Sequence, residues 1–458
     1  MVRYSADGFE VEPGLATWEV SDDGLRYTFT LRDHVFFHDG QPLNSDAVID
    51  NFKRWSDKND PQYAKFERYH AFMADIIQDV RKIDDRSFEI ILKEPNAPFL
   101  QNLAMTQFSI VSPSALKQYG EDIGRHPVGT GPFRFEQWKA EDSITLVKNE
   151  AYWGEVPILD KLVYKVIKEN SARLNALMAG DVDLIDGVLP SDIARIEADG
   201  RFQIYYRSPN NFSYLGFHTQ KPPFDNPLVR RAVAHAIDKA GLIKAFFEGA
   251  AIPAASPLPP AAFAHDDGLQ DYPYDLERAK NLLKEAGYPD GIPETLTFYA
   301  MPIYRPYMPN GQKVAEAIQH DLEKIGIKTK IESPEWAVYL NDLKEGKAHM
   351  FLLGWTGSNG DPDVFLNPLL DKDNIGGSNR VFYDSEELHQ LLKEGRRTMD
   401  PDRRREIYIR AQKLIHEEVP MVPIAYAEPV LAGVKSIQGF IPHPGGQDLF
   451  NTVSMVRP

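Results

Sequence analysis

Hydrophobic positions along the chain recur with two periods, and each period marks an element. Arg26–Leu31 (RYTFTL) and Ser87–Leu92 (SFEIIL) alternate every second residue and are rich in aromatic and β-branched side chains, the pattern of strands. Phe133–Trp138, Asp142–Lys148, Lys161–Val166 and Phe212–Thr219 read the same way. Elsewhere the period lengthens to that of a helix. Asn44 caps a helix over Ser45–Trp55, with Ala47, Val48, Asn51, Phe52 and Trp55 at helical spacing. After a turn at Lys221–Pro227 one long helix is predicted from about Leu228 to Phe247, its stripe made of Val229, Ala232, Val233, Ala236, Ile237 and Ile243.

Beyond the Ala- and Pro-rich loop Ala250–Ala264, helix and strand take turns. A helix Leu276–Ala286 precedes the strand Thr295–Tyr299, and a helix Gln312–Ile325 precedes Lys328–Glu332. Met350–Trp355 is a short apolar strand, and a long helix Arg403–Glu418 leads into the strand Val422–Tyr426. This alternation predicts α/β lobes with mostly parallel sheets. The opening stretch, Tyr4–Gly14, reads as a loop leading into a patterned strand. No repeat of fixed period is present, which argues against a solenoid or propeller.

Composition narrows the function. The 458 residues imply about three domains, or two lobes of which one is elaborated. The 51 basic and 67 acidic residues leave a formal charge of −16, the opposite of the basic footprint that nucleic acid or an anionic membrane requires. With no cysteine, thiolate metal sites, iron–sulfur clusters, disulfides and a cysteine nucleophile are all excluded. No apolar run approaches the ~20 residues that span a bilayer. The N-terminal Met1-Val-Arg-Tyr-Ser lacks a basic-then-apolar signal pattern.

Few motifs carry chemistry. Gly129-Thr-Gly131-Pro-Phe is a tight turn, because Pro132 removes a donor and a strand rather than a helix follows. His34 and His38, four apart on a presumed strand, sit about 13 Å from each other and cannot share an ion. No other metal-ligand spacing, nucleophile elbow or phosphate loop appears, so neither a metal nor a cofactor is expected. Two segments do suggest a ligand. Trp355 ends an apolar strand and is followed by the polar, Gly-rich Thr356-Gly-Ser-Asn-Gly-Asp361-Pro-Asp363, and ligands of α/β sheets sit beyond the carboxyl ends of strands. Tyr304-Arg305-Pro306-Tyr307 holds an arginine rigidly between aromatics, suited to bidentate capture of a carboxylate or phosphate.

A set of ordered motifs resembles one family. Glu12-Pro-Gly-Leu-Ala16, Trp18-Glu-Val-Ser-Asp-Asp-Gly24, Phe37-His-Asp-Gly40 and Pro127-Val-Gly-Thr-Gly-Pro-Phe133 are similar to segments of the large solute-binding proteins of peptide ABC transporters, family 5. So are Pro223-Phe-Asp-Asn226, Val229-Arg-Arg-Ala232, Ala236-Ile-Asp238 and Gly354–Asp363. The similarity spans nearly the whole chain, and the dipeptide-binding members share most with it. It implies an α/β, bilobal periplasmic-binding-protein type II-like fold with an elaborated first lobe. That lobe would comprise residues 1–210, with an extra subdomain at about 20–130 and a returning tail 430–458; residues 211–429 would form the second. Phe212–Thr219 and Ala427–Ala432 would be the crossing strands. It further implies a non-catalytic, monomeric receptor outside the cytoplasm, periplasmic or membrane-associated, that passes a short peptide to ABC permease subunits. A signalling relative of the same fold and a hydrolase using the cleft are the alternatives. Family members also carry a signal and a further segment before the equivalent of Tyr4, so this chain reads as N-terminally truncated.

By the same resemblance Arg305 matches the ligand's carboxylate-binding arginine, with Tyr307 beside it. Gly354 and Thr356 match the backbone that pairs with an extended peptide, and Trp336 and Trp355 match pocket-lining tryptophans. One position departs: Ser358 stands where the family has the aspartate that holds the α-ammonium. Leaving a buried charge without its partner costs about 2–5 kcal/mol, roughly 30- to several-thousand-fold in affinity. The expected ligand has a carboxylate for Arg305 and no free amine at Ser358: a blocked peptide, a γ-linked peptide such as glutathione, or another acidic solute. Nearby Asp361 is a candidate substitute for the missing aspartate, although the Asp-Pro-Asp run reads as structural.

Overall fold

The computed structural model describes residues 1–57, 59–60 and 72–456. Most of the patterned segments form the elements their periodicity implies. Arg26–Leu31 and Ser87–Leu92 pair in a four-stranded antiparallel sheet with Ala16–Val20 and Ile77–Lys82. The helix Ser45–Ser56 covers this sheet, and its Asn44 cap accepts a hydrogen bond from the Ala47 amide at 2.9 Å. Phe29, Phe52, Trp55 and Phe88 form the aromatic centre of this core, fully buried.

The largest sheet has six strands, ordered Ala251–Pro253, Met421–Ala427, Asn211–Phe217, Met350–Thr356, Ile292–Tyr299 and Ile327–Glu332. It is mixed, which corrects the expectation of mostly parallel sheets. Ile292–Tyr299 pairs in parallel with both neighbours, as helix-connected strands do, while Asn211–Phe217 is antiparallel to both of its own. The other sheets are antiparallel throughout. Asn211–Phe217, arriving from the first core, runs against the helix-connected strands, while Met421–Ala427, which leaves for it, runs with them, and periodicity carries no sign of direction.

Three further segments differ from their sequence reading. The helix foreseen over Leu228–Phe247 is two, Pro227–Ala236 and Lys239–Phe246, broken where Ile237 turns extended. Asp238 caps the second helix, accepting from the Gly241 amide at 2.9 Å, and its own amide donates to Asp321 Oδ2. Ile237 stays buried, so the apolar stripe runs unbroken across the break. Second, Tyr4–Gly14 is not a plain loop: Val2–Tyr4 and Val11–Pro13 pair as an antiparallel ribbon. Third, His34 lies on a turn at φ +55° rather than on a strand. His38 Nε2 donates to the Gly131 carbonyl, and the Thr130 carbonyl accepts from the Trp153 indole.

Two crossings tie the cores together. At the start of Asn211–Phe217, the Asn211 side chain both donates to and accepts from the Ala427 backbone, at 3.1 and 3.2 Å. Asn210 does the same work on the other flank, exchanging hydrogen bonds with Gly357. Past Ala427 the chain returns as Val430–Val434, the middle strand of a three-stranded sheet between Leu184–Asp186 and Phe202–Tyr206. There Arg207 is buried and holds both oxygens of Asp448 from the C-terminal stretch.

Candidate ligand-binding site

The fold gathers Arg305, Tyr307, Trp336 and Gly354 at one place, the carboxyl ends of Ile292–Tyr299 and Met350–Thr356. The decisive small residue is Gly354. A Cβ there would collide with the Tyr307 ring and lie 2.6 Å from the Phe212 carbonyl, so only glycine lets Tyr307 lie flat against the strand. Tyr307 is buried, and burial pushes its phenol up while the neighbouring Arg305 pulls it back. Arg305 is exposed, its guanidinium 5.8 Å from the centre of the Trp336 ring and donating to the Tyr304 carbonyl. Trp336 opens the helix Trp336–Lys344 and stacks on Tyr339 with centroids 5.6 Å apart. The result is a cation backed by aromatics, with free donors on one side.

Trp355 and Thr356 continue the strand at the same end. Trp355 is half-buried with its indole N–H already given to the Val364 carbonyl, leaving the ring face for contact. Thr356 is exposed at the strand's last position. Ser358 is exposed in the loop that follows.

The loop beneath Ser358 is rigid. Asn359 is fully buried and donates to Asn102 across the two cores. Asp361 is 1% exposed and receives Arg404 through both oxygens, at 2.7 and 2.8 Å. Asp363 accepts two donors from Arg396, its carboxyl raised by burial against the pull of that arginine. Neither acid is available to a ligand's ammonium. Asp361 therefore does not replace the missing aspartate: its carboxylate is consumed by Arg404.

Two groupings escaped linear reading. Arg380 follows the buried Asn379, whose side chain donates to the Asp371 and Tyr383 carbonyls and so fixes the segment. The Arg380 guanidinium acts on the Tyr214 and Tyr339 hydroxyls, and Tyr339 donates to the Leu352 carbonyl two residues before Gly354. Its Nε is shielded from solvent without an acceptor, and no carboxylate lies within ion-pair distance among the described residues. Asp371, Asp373 and His389 also converge, ligand atoms within 4.8 Å, although no motif links them. There His389 Nδ1 donates to Asp371 at 2.9 Å and the Asp373 amide to the same oxygen, a bridge that joins two helices. Both groupings join positions whose partners lie on separate elements, so no local spacing announces them.

Comparison with known proteins first gives the class. The chain superposes on the ABC transporter-associated periplasmic binding protein DppA from Helicobacter pylori, solved with the peptide STSA, with a TM-score of 0.81 and 34% identity over 99% of this chain and 91% of that one. Its fold is the α/β fold of periplasmic binding proteins. Heme-binding protein A of Haemophilus influenzae is 38% identical over 99% of this chain and 86% of its own length. The dipeptide-binding protein of Escherichia coli is 36% identical, with 99% and 88% covered. The model for bacterial extracellular solute-binding proteins, family 5, matches residues 10–377, and the chain belongs to that family.

Proposed function

We propose that this protein is the substrate-binding component of a peptide-type ABC importer, holding a short, acidic, peptide-like solute at Arg305, Tyr307, Trp336, Gly354, Trp355 and Thr356. The observation that supports this most directly is the cluster itself: an exposed guanidinium backed by aromatics, beside a strand end whose Gly354 seats Tyr307. Relatives named for dipeptide and peptide binding, one of them periplasmic and transporter-associated, support the ligand class, the compartment and delivery to permease subunits. In this reading residues 1–210 with the returning tail form one lobe and 211–429 the other. They pivot on the paired crossings at Asn211 and Ala427, and the working unit is a monomer. The ligand touches both lobes only when they close, and that difference in affinity drives closure. Ser358 sets the specificity. With serine exposed there and Asp361 committed to Arg404, the ligand's amine is blocked, γ-linked or absent.

Isothermal titration with a free dipeptide and its N-acetylated twin tests the reading, with mass spectrometry of the mixture for hydrolysis. The acetylated form binds as tightly or more tightly, neither is cleaved, and Arg305→Gln weakens both by roughly 30-fold or more. A clear preference for the free amine, or product formation, overturns it. Hemin is titrated in parallel, because one relative is named for heme.

A further inference from the structure

We propose that the loop 357–360 and the first core form a closure latch, in which Asn102 and Phe9 are positioning residues that set ligand affinity without touching the ligand. This rests on the two-lobe reading above and adds the contact that balances open against closed. The loop follows the ligand-facing strand Met350–Thr356. Gly357 ties its start to the crossing at Asn210, and Asp361 ties its end to Arg404 of the second lobe. Between these anchors it reaches the first core. Asn359 is fully buried and donates to Asn102 Oδ1 at 2.9 Å, while its own Oδ1 accepts from the Asp361 amide. At Gly360 the three atoms nearest to an added Cβ all belong to Phe9, the closest at 2.5 Å. Phe9 has little room to retreat. Tyr4 and His443 meet its ring edge-on, and His443 Nε2 donates to the Gly8 carbonyl.

The second lobe meets the same core again at the end of the helix Glu386–Arg397. There the Arg396 carbonyl accepts from the Ala97 amide at 2.8 Å, and Arg397 pairs with Glu94. Apart from the Phe9 ring these contacts are polar, whereas the core on either side is apolar. A polar contact between two cores exchanges its hydrogen bonds for water when it parts, so it opens at low cost. That is the property of a latch rather than of a fixed joint. In the closed state, losing the Asn102 oxygen leaves the Asn359 amide buried without an acceptor. The open state bears no such cost, because water reaches Asn359 there. Apparent affinity scales with the fraction of molecules that can close, so a weakened latch weakens every ligand alike.

The test uses the wild type, Asn102→Leu, Asn102→Asp and Gly360→Ala, with melting curves to confirm folding. Each is titrated with N-acetyl-Ala-Ala and N-acetyl-Ala-Phe, and the free proteins are compared by small-angle scattering and amide hydrogen exchange. Asn102→Leu and Gly360→Ala weaken both peptides by one common factor, roughly tenfold. They also enlarge the radius of gyration of the free protein. Exchange quickens at the Ala97 amide, whose acceptor lies across the contact, and stays unchanged in the core strand Ser87–Leu92. A merely structural defect would quicken exchange in both places. Asn102→Asp, which keeps an acceptor for Asn359, recovers part of the loss. Unchanged affinity and exchange, or losses that differ between the two peptides, overturn the latch while the solute-binding reading stands. If neither peptide binds the wild type, the solute-binding reading falls, and scattering and exchange on the free protein still decide the latch.

Discussion

At the residue scale, single positions carry burdens their local sequence does not announce. Gly354 looks like any strand glycine, yet it alone lets Tyr307 pack on the strand. Gly354→Ala is expected to displace Tyr307, weaken peptide binding at least tenfold in titration, and lower the melting temperature of the free protein, because the added methyl also presses on the Phe212 carbonyl. Asp361 reads as a plausible ammonium ligand, but its carboxylate is buried and doubly bonded to Arg404. Removing one side of such a pair strands a buried charge, so Arg404→Met should cost about 3–5 kcal/mol in urea denaturation. An equal-sized loss from the exposed Arg397–Glu94 pair would contradict this, since exposed pairs contribute about 1 kcal/mol or less. Histidine burial gives a pH dependence. His218, stacked on Phe382 at 4.2 Å, has its pKa lowered by burial to about 4 from 6.5. In acid the unfolded chain takes up that proton first. Stability therefore falls as pH drops from about 6.5 and levels off below about 4. His218→Leu should flatten this part of the profile, read as the difference in denaturation midpoint between pH 7 and pH 4.5.

At the element scale the apolar stripe was a sound guide to helices and strands but not to their interruptions. Leu228–Phe247 keeps one continuous buried face, so its period shows no break. The break belongs to Asp238, whose side chain caps Gly241 and whose amide finds Asp321 from another helix. Asp238→Ala should destabilise the protein by about 1 kcal/mol through the lost cap. Thermal unfolding of Asp238→Asn, which keeps a capping oxygen, should recover most of it. Strand direction was equally invisible. Alternation says that a segment is half-buried and extended, whereas parallel or antiparallel pairing depends on where the connection comes from. The antiparallel neighbours of Asn211–Phe217 arise from chain crossings more than 130 residues apart in sequence.

At the scale of the whole molecule, the proposed pivot and the proposed site share one strand. Asn211–Phe217 begins at the crossing, pairs with Met350–Thr356 and places Tyr214 opposite Leu353, just behind Gly354. In the closure proposed above, that crossing would be the hinge and the strand end would move as a unit with its core. A bound peptide at 100 times its Kd should add about 2.7 kcal/mol of stability, visible as a raised melting temperature. Small-angle scattering should show a smaller radius of gyration with ligand; an unchanged radius together with tight binding would rule out closure.

Neighbouring residues carry the helices and strands, the absence of cysteine chemistry, the acidic charge, and the motifs that place the chain in its family. Arg305, Trp355 and the Gly-rich loop were visible because rigid flanks and strand ends leave local marks. Packing alone binds Asp361 to Arg404, joins Asp371 to His389 and makes the large sheet mixed. Each of these is a relation between residues far apart along the chain. A buried charge is defined by its partner, and the partner is chosen by packing.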